Sequence, residues 1–150
     1  MKKIEKILGF SVIGFMLIQL VYSLPFAAEL ISLFTILLVC LYFNFSFALL
    51  NGISFRKMFK KESYKGISTW RIIGTIGAGF TLSITIIGIL FVYQRWPYGY
   101  ANLQNGLVML GIVLIVIVLK KSLSFHEIYT YILVRIGIVG LIGLCLLCIP

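Results

Sequence analysis

The chain has 150 residues, 61% of them hydrophobic, and a formal net charge of +9. Soluble domains are about 45–50% apolar, so a soluble core of this size has no room for so much Leu, Ile, Val and Phe; the solvent that fits the composition is lipid. Four acids (Glu5, Glu29, Glu62, Glu127), no Asp and a single His are too few to build a convergent catalytic constellation, so the expectation is one all-α, polytopic membrane domain over residues 1–150, with no enzymatic activity, cofactor or metal.

The first predicted span covers residues 6–24, just long enough at about 1.5 Å per residue to cross the hydrocarbon core. Its basic start resembles a signal peptide. The stretch near Ala27 and Ala28 lacks a clean small-x-small cleavage site and another apolar run follows at once, so a retained span is expected. Pro25 lacks an N–H and pushes its predecessor toward extended geometry, which predicts a tight turn and a helical hairpin. The second span covers residues 27–50 and stops at Asn51-Gly52, a C-cap signal.

Residues 54–65 are polybasic. Phe55, Met58 and Phe59 fall at i, i+3 and i+4, with Arg56, Lys57, Lys60 and Lys61 largely elsewhere. That spacing predicts a short interfacial helix whose basic residues, Arg56, Lys57, Lys60, Lys61 and Lys65, contact lipid headgroups; a solvated loop is the alternative. The third span covers residues 69–95. Gly74, Gly77 and Gly79 thin its first half and predict close helix approach. Trp96, Tyr98 and Tyr100 follow as an aromatic belt. The fourth span covers residues 102–119, ending at Lys120-Lys121. Ser124 to Glu127 fits a capping box that opens a fifth span over residues 125–149, where Gly137, Gly140 and Gly143 form a second small-residue seam.

Eleven of the thirteen Lys and Arg residues lie in three clusters: Lys2/Lys3/Lys6, Arg56 through Arg71, and Lys120/Lys121. With five spans and a cytoplasmic N-terminus, all three clusters fall in the cytoplasm, as the positive-inside rule requires. The C-terminus is then periplasmic, and only Arg95 lies outside. Charges that flank apolar spans serve topology and attraction to anionic headgroups, so nucleic acid is not an expected partner.

The first and third spans end alike. Each has an apolar run, then Pro25-Phe26 or Pro97-Tyr98, then another apolar span, which suggests two parallel helical hairpins plus a C-terminal helix. The stretch Ile89-Leu90-Phe91-Val92-Tyr93-Gln94-Arg95-Trp96-Pro97, followed by Asn102-Leu103-Gln104-Asn105-Gly106-Leu107, resembles the hairpin of the gliding-motility L-type membrane protein of the type 9 secretion motor. The whole chain, with Lys2-Lys3-Ile4-Glu5-Lys6-Ile7-Leu8-Gly9 and Phe59 through Ser68, is similar to small inner-membrane proteins of the same bacteria that carry such hairpins without the motor's soluble domain. The resemblance implies a bacterial inner-membrane location. The motor family places a functional carboxylate in the helix after the turn; Leu37-Leu38-Val39-Cys40 and Gly111-Ile112-Val113-Leu114-Ile115 hold no acid, so motor activity is not implied for this chain.

Three features stand out as candidate sites. Glu29 and Arg95 are the acid and the cation nearest the outer turns, and hairpin symmetry predicts that they pair; two independently solvated interfacial charges are the alternative. Arg135 lies about 12 Å into the fifth span, where a charge costs roughly 2.5–3.5 kcal/mol; it is a candidate intramembrane polar site that snorkels, bonds inside the bundle, or binds an anion such as a lipid phosphate. Cys145 and Cys148 have C-x-x-C spacing without a charged neighbour to activate a thiolate, and read as apolar filler, as does Cys40. His126 beside Glu127 lacks the further ligands of a metal site. The expected function is a non-enzymatic scaffold or accessory subunit of a membrane complex, with lipids and another membrane protein or a second copy as partners. A small transporter or channel component and a membrane-embedded immunity protein are the alternatives. A membrane-impermeant reagent applied to intact cells is expected to label a C-terminal tag and to leave an N-terminal tag unlabelled until the cells are opened; the reverse pattern overturns the topology.

Overall fold

The computed structural model of the chain describes residues 1–22, 24–123 and 127–148. Five helices form an all-α bundle: α1 (Lys2–Val21), α2 (Ala27–Leu49), α3 (Thr69–Tyr93), α4 (Gly99–Leu123) and α5 (Glu127–Cys148). Each is long and apolar enough to cross a membrane. The expected spans recur with shifted ends. No end moves by more than four residues; the shift that matters is in α1, which begins at Lys2 rather than residue 6 and so takes Glu5 into its first turn. The capping box and His126 lie outside the described residues.

The bundle is built around α3, against which α2, α4 and α5 all pack; α1 packs on α2 at the periphery. In lipid there is no hydrophobic force to bring helices together, so close backbone contact and interhelical hydrogen bonds do that work. A Cβ on Gly79 would overlap the Ser46 side chain and stand 2.7 Å from the Tyr42 carbonyl oxygen, which marks the α2–α3 crossing. Ser83, one turn on, donates to the Val39 carbonyl oxygen of α2 at 3.3 Å. The α3–α4 crossing is also close, and reciprocal. A Cβ on Gly88 would lie 2.7 Å from Leu103 Cα, and one on Gly106 would lie 2.8 Å from Thr85 Cα.

The small-residue seams therefore divide. Gly79 is a packing residue, and Gly140 and Gly143 face α4 side chains at 3.4 Å and 3.1 Å. Gly74, Gly77 and Gly137 are a correction: a Cβ there meets nothing within 4 Å, because each faces open space that no neighbouring helix fills. Gly88 and Gly106, which the sequence reading passed over, carry the closest contact with α4.

The two hairpin turns share one conformation. Ala27 N–H donates to the Leu24 carbonyl oxygen at 3.3 Å and Gly99 N–H to that of Trp96 at 3.2 Å. In each, proline is second and an aromatic third, with Phe26 at φ 66° and Tyr98 at φ 61°. This is the type II turn pattern, with a bulky residue where glycine is usual. The helix ends before the turns differ. α3 closes with Trp96 N–H on the Phe91 carbonyl oxygen and Arg95 N–H on that of Val92, with Arg95 left-handed at φ 57°. That is the Schellman pattern with its apolar clasp, here Phe91 against Trp96 at 4.9 Å between ring centroids. The same pattern ends α2, with Gly52 at φ 75° and Ile53 N–H on the Ala48 carbonyl oxygen at 2.8 Å, as the Asn51-Gly52 signal predicts.

The basic segment is not one amphipathic helix. It forms two short 3-10 turns, Phe55–Lys57 and Lys61–Tyr64, broken by extended backbone at Lys60. Met58 is buried with Ala48 and Ile53 and Phe55 packs edge-on to Phe45, while Phe59 stays exposed. The expected apolar face is therefore split between the bundle and the interface. Gly79→Ala is expected to destabilise the bundle by about 1–3 kcal/mol through overpacking, and Gly77→Ala to stay within about 0.5 kcal/mol of the parent; thermal unfolding followed by circular dichroism in detergent measures both.

Candidate functional site

Glu5, Leu8 and Val12 share one face of α1 at i, i+3 and i+7, and they are its buried residues. Starting the helix at Lys2 turns the Glu5 carboxylate inward. It meets Tyr42 of α2, seven residues before that helix ends, and Arg135 of α5, eight residues after that helix begins. At 1.5 Å per residue both partners lie about 10–12 Å from their helix ends. Along α2 and α5 the group thus stands about two turns in, while along α1 it stands in the first turn, between Lys3 and Lys6.

Its geometry is that of a closed network. Arg135 Nε donates to Glu5 Oε1 and Arg135 Nη2 donates to Oε2 at 2.6 Å, a side-on bidentate pair. The Tyr42 hydroxyl donates to the same Oε1. Arg135 Nη1 donates to the Tyr131 carbonyl oxygen at 3.0 Å. The Arg135 and Glu5 side chains are only 16% and 9% exposed. The carboxylate accepts three hydrogen bonds and the opposite charges neutralise each other, the condition under which a charged group is tolerated in a low-dielectric interior. Above the pair, the Lys2 ammonium lies 4.6 Å from the centroid of the Tyr131 ring, a cation–π contact from α1 to α5.

Of the three readings of Arg135, bonding inside the bundle is the one found, with Tyr131 among its partners through the backbone. The main partner, Glu5, was missed because the span was started at Lys6, which left Glu5 among the N-terminal lysines outside it. The spacing of Glu5, Leu8 and Val12 was the signal that could have found it.

The Glu29–Arg95 pair is a correction. Both residues are exposed, and the sole ion pair among the described residues joins Glu5 and Arg135. The outer turns do meet, but a neutral residue joins them: Gln94 Nε2 donates to the Ala28 carbonyl oxygen and to Ser32 Oγ, each at 2.8 Å. Arg95 occupies the left-handed corner that ends α3. Close by, the Tyr93 hydroxyl donates to the Met16 carbonyl oxygen at 3.0 Å and pins the outer end of α1. Arg56, Lys57, Lys60, Lys61 and Lys65 are all exposed on the basic segment, available to headgroups. Outside the spans, burial raises the Tyr64 phenol above its ordinary pKa, keeping it a donor to the Met58 carbonyl oxygen at 2.7 Å. Cys40, Cys145 and Cys148 are free thiols, and the described residues hold no group of three or more metal-ligating side chains.

Compared with protein-family models, with curated proteins and with solved structures, the chain matches none. Removing one partner of the network leaves a buried charge uncompensated, so Glu5→Leu and Arg135→Leu are each expected to lower stability by about 3–5 kcal/mol. The double variant is expected to recover most of that loss. A double-mutant cycle on folded yield and unfolding in detergent measures the coupling, and purely additive losses would refute the pair.

Proposed function

We propose that this integral membrane protein is a non-enzymatic scaffold or accessory subunit of a bacterial inner-membrane complex, N-terminus cytoplasmic and C-terminus periplasmic. Its partners are membrane lipids and another membrane protein or a second copy. The observation that carries the reading is how the intramembrane charges are satisfied: Glu5, Arg135 and Tyr42 bond to one another, and none of the three lines the cavities at the two ends of the bundle. A pair so enclosed fixes helix position rather than offering itself to a passing solute. Outward, α4 presents Val108, Ile112, Ile115 and Leu119, each at least 59% exposed. They fall at i, i+4, i+7 and i+11, an apolar stripe suited to lipid or to a partner helix.

A second reading, a small transporter or channel component, draws its support from the same residues, because an ionisable carboxylate within a span is a common element of ion pathways. Purification in mild detergent with co-purifying proteins identified, followed by reconstitution into liposomes, separates the two. The expected outcome is a stoichiometric membrane partner and liposomes as tight as empty ones. Ion flux from the pure protein that Glu5→Gln abolishes would overturn the scaffold reading in favour of transport.

A further inference from the structure

At the basic end of the bundle α3, α4 and α5 part around a cavity of about 180 Å³. Two cations line it, Arg71 from the first turn of α3 and Lys120 from the last turn of α4. Neither swings freely, since each holds a partner within the protein. Arg71 Nε donates to Asn51 Oδ1 at 2.9 Å, and Asn51 is fixed in turn by Nδ2 bonds to the Phe47 carbonyl oxygen at 2.7 Å and to Thr75 Oγ1 at 3.2 Å. Ser68 and Tyr129 bring hydroxyl groups to the lining, and the Trp70 ring, 81% exposed, lies beside them. Isoleucines of α4 and α5 form the apolar wall. On the α3 side the wall is missing at Gly74, where a Cβ would meet nothing within 4 Å, and again at Gly77 one turn deeper.

Polar, cationic and aromatic groups thus line the cavity beside the isoleucine wall, and the missing side chain at Gly74 leaves a slot on its α3 side. We propose that this cleft binds the phosphate of an anionic phospholipid, whose glycerol and acyl chain leave past Gly74 along the bare side of α3. Basic pockets between spans at the cytoplasmic side suit such headgroups. Size agrees: a cavity of about 180 Å³ has room for a phosphate and its nearest ester atoms. The Arg71 guanidinium is held in place by Asn51, and the slot at Gly74 gives the tail a route that a soluble anion does not need. The inference rests on the chain lying in a membrane, and not on its being a scaffold.

The full chain, purified in mild detergent, is titrated with phosphatidylglycerol and separately with phosphatidylcholine, and bound lipid is counted by native mass spectrometry. One saturable phosphatidylglycerol is expected, with phosphatidylcholine much weaker. Arg71→Gln with Lys120→Gln should weaken it at least about tenfold, in keeping with two cations near a headgroup. Gly74→Leu, which blocks the slot without altering charge, should weaken it as well, and it carries the test should the charge variant fail to fold. Arg95→Gln, which removes an exposed cation at the opposite end of the bundle, should leave it unchanged. Equal binding of the two lipids, a loss in the Arg95 variant as large as in the cleft variant, or displacement by inorganic phosphate at matching concentration overturns the proposal; the last assigns the cleft to a free anion.

Discussion

The side-on pairing of the Arg135 guanidinium with the Glu5 carboxylate governs where the first helix can sit. α1 buries only Glu5, Leu8 and Val12 and packs mainly on α2. Hydrocarbon tails are as apolar as its own side chains, so its apolar faces gain little from choosing protein over lipid. The charged pair supplies the preference. A carboxylate at this depth has one low-energy arrangement, against Arg135 and the Tyr42 hydroxyl, and reaching it requires α1, α2 and α5 to meet at one level. The Lys2–Tyr131 contact above and the Tyr93–Met16 bond at the far end then hold α1 upright.

The central helices are held differently. Where α3 crosses α2 and α4, glycine lets backbones approach until side chains touch the opposing main chain. Dispersion is gained over the whole crossing, with Ser83 adding a hydrogen bond to α2. The molecule therefore has a tightly packed centre, α2–α3–α4, and two outer helices, α1 and α5. Close packing with a few hydrogen bonds sets the centre; charge and hydrogen bonds bring α1 and α5 into register with each other.

Five spans, their order and the two Pro-aromatic turns were legible in the sequence because length, apolar runs and turn chemistry are local properties. The Gly52 cap was legible for the same reason. Azimuth was not. Gly74, Gly77 and Gly79 look alike in a one-dimensional run, yet only Gly79 points at α2, and Gly88 and Gly106 show their role only when α4 is folded back on α3. The electrostatic partners were misread for a related reason. Glu29 and Arg95 occupy symmetric places in the two hairpins, but the Schellman corner takes Arg95 and Gln94 makes the bridge. Glu5 looked like one charge among the N-terminal lysines because the first span was started one turn too late.

The two members of the buried pair stand 130 residues apart. A ribosome makes α1 long before α5 exists, so the carboxylate goes without its counter-ion through the synthesis of three more helices. Until the final segment arrives, the nascent protein carries an unsatisfied group at its leading end. Completion of translation and maturation of the bundle thus become one event, and a fragment cut short before Arg135 bears a built-in mark of its own incompleteness.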